Sequence, residues 1–144
     1  MNTNRTRGMS LIELLTVVAI VAILGSLAVS SYSRFTLRAN RTDATTALLR
    51  IQVAEEKFFL SNNTYTTDFT TAPPTGLGIL TSASTTGGRY TVAIAAGNTG
   101  SIANSYTASA AAAGQQTDDS SACQTFSINE SGTRSPLDST GCWK

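Results

Sequence analysis

The organisation of this chain is decided by residues 9–33, MSLIELLTVVAIVAILGSLAVSSYS. The run consists mainly of Leu, Ile, Val, Ala and Ser, and its one charged residue is Glu13. A helix of about 20 apolar residues crosses the roughly 30 Å hydrocarbon core of a bilayer. The run therefore predicts a membrane-spanning helix near the N-terminus.

The residues before this run, MNTNRTRG, are polar and basic and end in the small residue Gly8. A secretory signal is cut after its apolar core, where Ser26-Leu27-Ala28 offers a poorer site than Gly8 does. A cut after Gly8 would place a free amine on Met9. A carboxylate such as Glu13 costs about 2.5–3.5 kcal/mol in hydrocarbon, and this amine could neutralise it within one subunit or between neighbours. An ordinary signal anchor, with Glu13 at the lipid headgroups, is the alternative.

The helical pattern continues beyond the apolar run to about Leu60. Apolar residues recur with steps of 7, 4, 3, 3 and 4, which traces one helical face, and no proline interrupts residues 9–72. This face consists of Leu37, Ala44, Leu48, Ile51, Ala54 and Phe58. We expect it to pack against a folded domain, with a binding groove as the minor alternative. The charged residues of this stretch mostly fall off this face, namely Arg34, Arg38, Arg41, Asp43, Arg50, Glu55 and Glu56. Among them we expect Arg34, Arg38 and Arg41 to form a solvated face, with contacts to lipid headgroups or neighbouring subunits as the alternative.

The rest of the chain has the pattern of a loop followed by β-strands. Residues 61–87 are rich in Ser, Thr, Asn, Gly and Pro, which is typical of a surface loop. Strands are predicted at residues 89–96, at the alanine-rich and therefore weaker 105–113, and at 124–129, with a short return leg at Thr133 and Arg134. The predicted fold class is α+β, with a long N-terminal α-helix packed on a three- to four-stranded antiparallel β-sheet.

We expect five segments along the chain. They are a leader peptide (1–8), the transmembrane and assembly half of the helix (9–30), its amphipathic half (31–61), a loop (62–88), and the antiparallel sheet with a C-terminal loop (89–144). Cys123 and Cys142 bound that last loop. In an exported domain an even cysteine count indicates a disulfide, which for a loop of this size contributes about 3 kcal/mol. Two free buried thiols are the alternative.

Composition excludes several classes of function. Ten Lys and Arg residues balance nine Asp and Glu, so the chain lacks the charge that bulk nucleic-acid binding needs. It has no histidine, the commonest general base and metal ligand. We therefore predict no enzymatic activity, no metal and no cofactor. Asp118 and Asp119 could ligate calcium, but a solvated loop is the expected setting.

The segment RTRGMSLIELLTVVAIVAIL resembles the N-terminal motif of type IV pilins, in which a basic leader ends in Gly and the apolar helix carries Glu as its fifth residue. The resemblance implies cleavage between Gly8 and Met9 by a prepilin peptidase, N-methylation of Met9, and assembly through the Met9 amine and Glu13. The C-terminal stretch CQTFSINESGTRSPLDSTGCW most resembles minor pilins of the PilE type from Gram-negative bacteria. Two residues depart from the family pattern, because most pilins have Phe in place of Met9 and many have a kinking proline in place of Ser30.

The resemblance implies a structural subunit, of the minor class, in a type IV pilus or fimbria. Such a pilus would act in pilus biogenesis, twitching motility, adhesion or DNA uptake. The implied partners are other pilin subunits in a homo- or heteropolymer, the prepilin peptidase, the inner-membrane assembly platform and membrane lipid. The implied location is the inner membrane before assembly, and then the periplasm and the extracellular pilus of a Gram-negative bacterium.

Two other functions stay open at this point. A pseudopilin of a type II secretion system would carry the same leader, but the common major pseudopilin uses a calcium loop, so the cysteine pair favours the pilus. A DNA-binding pilin is the least favoured function, because only Arg89, Arg134 and Lys144 are expected on the sheet side. Nucleic acid is therefore not an expected partner.

Overall fold

The computed structural model describes residues 9–143, apart from the side chains of Ser30 and Asp138. The predicted leader, with its cut after Gly8, and the terminal Lys144 lie outside the described residues. The chain divides into two compact units, Met1–Phe35 and Thr36–Lys144. We call the second unit the head.

The helix α1 extends from Leu11 to Asn62. It begins after Ser10, whose carbonyl oxygen accepts the N–H of Glu13 at 3.1 Å. It ends because Asn63 takes the left-handed conformation, with φ at 54°, which Asn tolerates better than most residues. The N–H of Asn63 still donates to the carbonyl oxygen of Phe59 at 2.8 Å. α1 is continuous over residues 25–30, where many of the pilins that the chain resembles have a proline in place of Ser30.

The head contains an antiparallel sheet of four strands in the order β1-β2-β3-β4. Their bounds are Tyr90–Ala96 (β1), Tyr106–Ala112 (β2), Thr125–Asn129 (β3) and Arg134–Ser135 (β4). Each strand pairs with the next along the chain. The α+β prediction of a long N-terminal helix and an antiparallel sheet is confirmed.

Alternate residues of the first three strands form one buried sheet face: Tyr90, Val92, Ile94, Tyr106, Ala108, Ala110, Phe126 and Ile128. These side chains share one hydrophobic core with residues of α1. Ala44, Leu48 and Ile51 are fully buried, and Ala54 and Phe58 pack against the core. From Ala44 to Phe58 the predicted apolar face of the helix is therefore the core face, whereas Leu37 is half-buried and lies outside the core cluster. β2 forms despite the poor strand propensity of its alanines, because strand preference depends mainly on packing against neighbouring side chains.

The loop between α1 and β1 is held by its own polar groups. The Oδ1 atom of Asp68 accepts the N–H groups of Thr70 and Thr71, both at 2.9 Å. Gly76 is required where the chain returns, because a Cβ there would lie 2.5 Å from the carbonyl oxygen of Thr71. The loop is thus fixed locally, and Leu77 reaches the core at 6% exposure.

Candidate functional site

The first candidate site is the apolar part of α1 in the N-terminal unit. Every large hydrophobic side chain from Leu11 to Val29 is between 51% and 80% exposed. By length and composition alone, α1 is the one helix in residues 9–143 that could cross a membrane. Apolar surface on all sides of a helix requires lipid or other helices around it. This segment therefore needs an environment that the chain itself does not supply.

Glu13 is the exception within this apolar segment. The hydroxyl of Thr16 donates to the carbonyl oxygen of Ile12 at 2.9 Å, and that of Ser26 to the carbonyl oxygen of Ile23 at 2.8 Å. These polar groups are satisfied within the helix. Glu13 lies in the first turn, where a carboxylate is favoured by the helix dipole, and it forms no salt bridge within the described part of the chain. Within this apolar segment, Glu13 is the group whose charge needs a cation from outside the described part of the chain.

The C-terminal loop of the head is closed by a disulfide between Cys123 and Cys142, with 5.4 Å between their Cα atoms. Both cysteines are buried. The following residue, Trp143, packs edge-on against Phe126 and donates its indole N–H to the carbonyl oxygen of Ser135 at 3.2 Å. The tail is therefore attached to the sheet by a covalent bond and by packing.

A second polar cluster, which the sequence pattern missed, joins α1 to the segment between β2 and β3. Arg41 donates two hydrogen bonds to Asp119, from Nη2 to Oδ1 at 2.6 Å and from Nε to Oδ2 at 2.7 Å. Both side chains are nearly buried, at 11% and 5% exposure. These hydrogen bonds hold the pKa of the Asp119 carboxyl below its usual value. The expectation that Arg41 and Asp119 are solvated is wrong, because each satisfies the charge of the other.

The side chain of Gln116 completes this cluster. Its Nε2 donates to Asp119 Oδ2 at 3.1 Å and to the carbonyl oxygen of Leu37 at 3.0 Å. Its Oε1 accepts from Asn40 Nδ2 at 3.1 Å. Gln116 lies in a short 3-10 helix, Gly114–Asp118. The cluster thus fixes this helix against one turn of α1, and Asp119 is engaged by protein donors instead of standing free for calcium.

Glu55 is an exception to the expectation that the charged residues of the helix mostly fall off its apolar face, because its side chain is fully buried. Its Oε2 accepts the N–H of Thr66 at 3.2 Å, while its Oε1 has no hydrogen-bond partner. Burial raises the pKa of Glu55 to about 7. The sequence carried a signal for this burial, because Glu55 lies four residues after Ile51 and three before Phe58, on the apolar face.

The cationic side chains of the head differ in their interaction partners. Arg89 forms a salt bridge with Asp43 at 2.9 Å, and the guanidinium of Arg134 lies 5.1 Å from the ring centre of Trp143. Arg50 and Lys57 line an open groove of about 740 Å³ beside Val53. Neither forms a salt bridge with any acid within residues 9–143. The exposed and unpaired positive charge of the groove lies on α1 and not on the sheet.

Comparisons with known sequences give two family matches. Residues 30–127 match the family model described as type IV minor pilin ComP, DNA uptake sequence receptor. Residues 3–29 match the prokaryotic N-terminal methylation motif. The chain is also similar to the type IV major pilin protein PilA of Myxococcus xanthus (strain DK1622), with 38% identity over 61 residues. That alignment covers 42% of this chain and 28% of the relative's length.

Among solved structures, the chain is similar to a type IV pilin from Shewanella oneidensis. The TM-score is 0.52 at 21% sequence identity, and the match covers 75% of this chain and 98% of that pilin. At this identity the likeness shows a common fold. It agrees with the long helix and the antiparallel sheet of the head.

Proposed function

This chain belongs to the family of type IV minor pilins described as ComP, DNA uptake sequence receptor, and on that premise we propose that it is a structural subunit of a type IV pilus and is processed and assembled as follows. The leader is cut between Gly8 and Met9 by a prepilin peptidase, and the new amine of Met9 is N-methylated. The apolar part of α1 first holds the subunit in the inner membrane. It then packs among the helices of other pilin subunits.

The observation that carries this proposal is the isolation of Glu13 in an otherwise apolar helix. Lipid and a bundle of apolar helices are both suitable surroundings for side chains that are more than half exposed from Leu11 to Val29. Neither satisfies a carboxylate, whereas the Met9 amine of a neighbouring subunit would. Opposite charges attract most strongly where water is excluded. This pairing would favour assembly and fix how far one helix is shifted along the next.

The decisive measurement is the intact mass of the protein recovered from its native membrane, with peptide mapping of both termini. We expect a chain that begins at N-methylated Met9 and that has lost two hydrogens to the Cys123–Cys142 bond. A chain that still begins at Met1, or that is cut near Ala28, would overturn the proposed processing. In that case the apolar helix would be a signal anchor or a removed signal peptide.

We propose the remaining features from the family and from the arrangement of the chain. The subunit enters a heteropolymer with other pilins through an inner-membrane assembly platform, and it reaches the periplasm and cell surface of a Gram-negative bacterium. Its role is structural and not catalytic. Recovery of the chain in pili sheared from cells would support this assignment. Recovery only in the membrane fraction, with loss of protein secretion on deletion, would favour a type II pseudopilin.

DNA binding is a second candidate function, and the family description favours it over residues 30–127. The unpaired Arg50 and Lys57 offer positive charge on the head, although removal of Arg5 and Arg7 with the leader lowers the net charge from +1 to −1. Phosphate contacts make binding weaken as salt rises. We would measure fluorescence anisotropy of labelled DNA duplexes with the detergent-solubilised chain over a salt series. Sequence-dependent binding that is lost in Arg50→Gln and Lys57→Gln would support a receptor, and no binding at low salt would leave the structural role alone.

A further inference from the structure

A group of acidic and aromatic side chains lies where α1 ends and the loop to β1 begins. Its central residue, Glu55, is fully buried. One carboxylate oxygen accepts the backbone N–H of Thr66 at 3.2 Å, and the other has no partner. A buried carboxylate with a single donor is poorly satisfied as an anion.

The surroundings of Glu55 supply aromatic rings and more acids. Tyr106, the first residue of β2, is fully buried and its hydroxyl also has no hydrogen-bond partner. The centre of its ring lies 4.9 Å from the centre of the Tyr65 ring. The Tyr65 ring in turn stacks on Phe59, with 4.6 Å between the ring centres. Glu55 has the largest electrostatic effect of any charge acting on Tyr106. The end of α1, the loop and the start of β2 therefore meet around one carboxyl group.

The charged side chains that act electrostatically on Glu55, Tyr65 and Tyr106 are carboxylates. Glu56 follows on the same helix, and its charge acts on Glu55, Tyr65 and Tyr106. Glu130, in the turn between β3 and β4, acts on both tyrosines, and its own Oε2 is buried without a partner. None of the three glutamates forms a salt bridge with a cation in the part of the chain that the structure describes. Ionisation of Glu55 would therefore add a negative charge beside two others.

We infer that Glu55 acts as a pH switch at the end of α1. Its neutral carboxyl holds the first turn of the loop, around Tyr65 and Thr66, against the helix. Ionisation of the carboxyl releases that turn. The neutral carboxyl carries no charge and still accepts the Thr66 N–H, so its burial costs less free energy than burial of the anion. The ionised carboxylate has lost its proton and has only the Thr66 N–H as donor. Water must then enter, and the turn that carries Tyr65 and Thr66 moves aside to admit it.

Burial and a neighbouring charge both support a transition in the neutral range. Burial is the main cause that raises the pKa of Glu55 to about 7, and the charge of Glu56 raises it further while the Thr66 N–H lowers it. The released contact includes the Thr66 amide, whose hydrogen exchange reports directly on opening of the turn. Opening would expose this amide and would separate the Tyr65 and Tyr106 rings, while the pairing of the four strands would be kept.

The test uses the full chain in detergent micelles, labelled for NMR. We expect the Glu55 carboxyl carbon to titrate with a midpoint near pH 7. After correction for intrinsic exchange, protection of the Thr66 amide should fall about tenfold per pH unit between about pH 5 and pH 7 and level off above pH 7, because the released carboxyl ionises before the held one. Amides of β2 facing β3 should show no such change and serve as the internal control.

Glu55→Gln keeps the shape of the side chain but cannot ionise, so protection of Thr66 should become independent of pH. The matched control Glu56→Gln should keep a titrating Thr66, with its midpoint shifted to lower pH because one neighbouring anion is gone. A Glu55 carboxyl that titrates below pH 5 would overturn the proposal, and so would unchanged pH dependence in Glu55→Gln. If Glu55→Gln fails to fold, the carboxyl titration of the unmodified chain decides the question alone.

Discussion

Arg41 and Asp119 are separated by 78 residues in the chain and meet through two parallel hydrogen bonds of 2.6 and 2.7 Å. This pair connects α1 to the segment between β2 and β3, next to the disulfide at Cys123. An Arg side chain is well suited to such a contact because its planar fork matches the two carboxylate oxygens. The pair is the main polar connection that the structure describes between the helix and this segment.

Removing one partner should be costly because the other is left buried and charged. We expect Arg41→Met to lower the free energy of unfolding of the head by roughly 3 kcal/mol. The measurement is denaturant unfolding of the detergent-solubilised chain, followed by fluorescence of Trp143. The matched control is Asp43→Asn, which breaks the more exposed salt bridge with Arg89 and should cost less than about 1 kcal/mol. Equal losses in the two variants would mean that Arg41 is better solvated than its contacts indicate.

Stability should fall as pH rises from acidic to neutral because of Glu55. Its pKa is raised from 4.5 to about 7 in the folded chain, so the unfolded chain ionises first. The contribution of the protonated carboxyl is full below about pH 4.5 and is lost as pH rises toward 7, with no further change above. Glu55→Gln should therefore be more stable than the natural chain at pH 8, by on the order of 3 kcal/mol, and about equal at pH 4. A constant difference across this range would contradict the prediction.

Loss of the disulfide should destabilise the head by about 3 kcal/mol in the chain-entropy account. The variant is Cys123→Ser combined with Cys142→Ser, compared with the oxidised natural chain at the same pH. The natural chain unfolded in the presence of a reductant should match the double variant. A double variant as stable as the oxidised chain would indicate that the tail is held by the packing of Trp143 alone.

The alanines that face the core from β2 should not tolerate enlargement. Ala110 is fully buried and lies opposite Phe126 in the sheet register, so Ala110→Leu should cost about 1–3 kcal/mol by overpacking. Ala111 is exposed and points to the other face of the same strand. Ala111→Leu adds the same atoms and should change stability by less than about 0.5 kcal/mol. Similar losses in both variants would point to strand propensity in place of packing.

Neutralising Glu13 should impair assembly and not membrane insertion. Glu13→Gln removes a charge that costs free energy in hydrocarbon, so the variant should still reach the membrane. If the proposed pair with the Met9 amine forms, losing about 1.4 kcal/mol per contact would lower incorporation into pili about tenfold. Quantitative blotting of sheared pili against the membrane fraction measures this, with Glu56→Gln as the control. Normal incorporation of Glu13→Gln would exclude the pair as a requirement.

Periodicity in the sequence was sufficient to predict the helix, the strands and the core face. Ala44, Leu48 and Ile51 follow a helical spacing, and the alternation around Phe126 and Ile128 marks one side of a strand. These signals are local, because each depends on neighbours within a few residues. The alanine-rich β2 was predicted less firmly because its stability comes from the strands on either side of it.

The buried charges could not be predicted in the same way. Pairing of Arg41 with Asp119 depends on a tertiary contact, and neither residue has a local pattern that marks it as buried. For Glu55 the helical spacing places it on the apolar face, but average preference places a Glu outside. A charged residue at a position that the helical spacing assigns to the core is therefore the sequence feature that indicates a buried charge. Gly8 lies outside the described residues, so the cleavage prediction depends on the motif and the family alone.

Closure of the Cys123–Cys142 bond turns residues 123–142 into a covalent ring that contains β3 and β4. A mechanical pull on the C-terminal end is therefore transmitted through the two sulfur atoms to the start of β3. It bypasses β4, which at two residues is the shortest strand and the first that would peel from the sheet under load. In a filament under tension, the head would resist unravelling from its tail because the force enters at the start of β3 and not at β4.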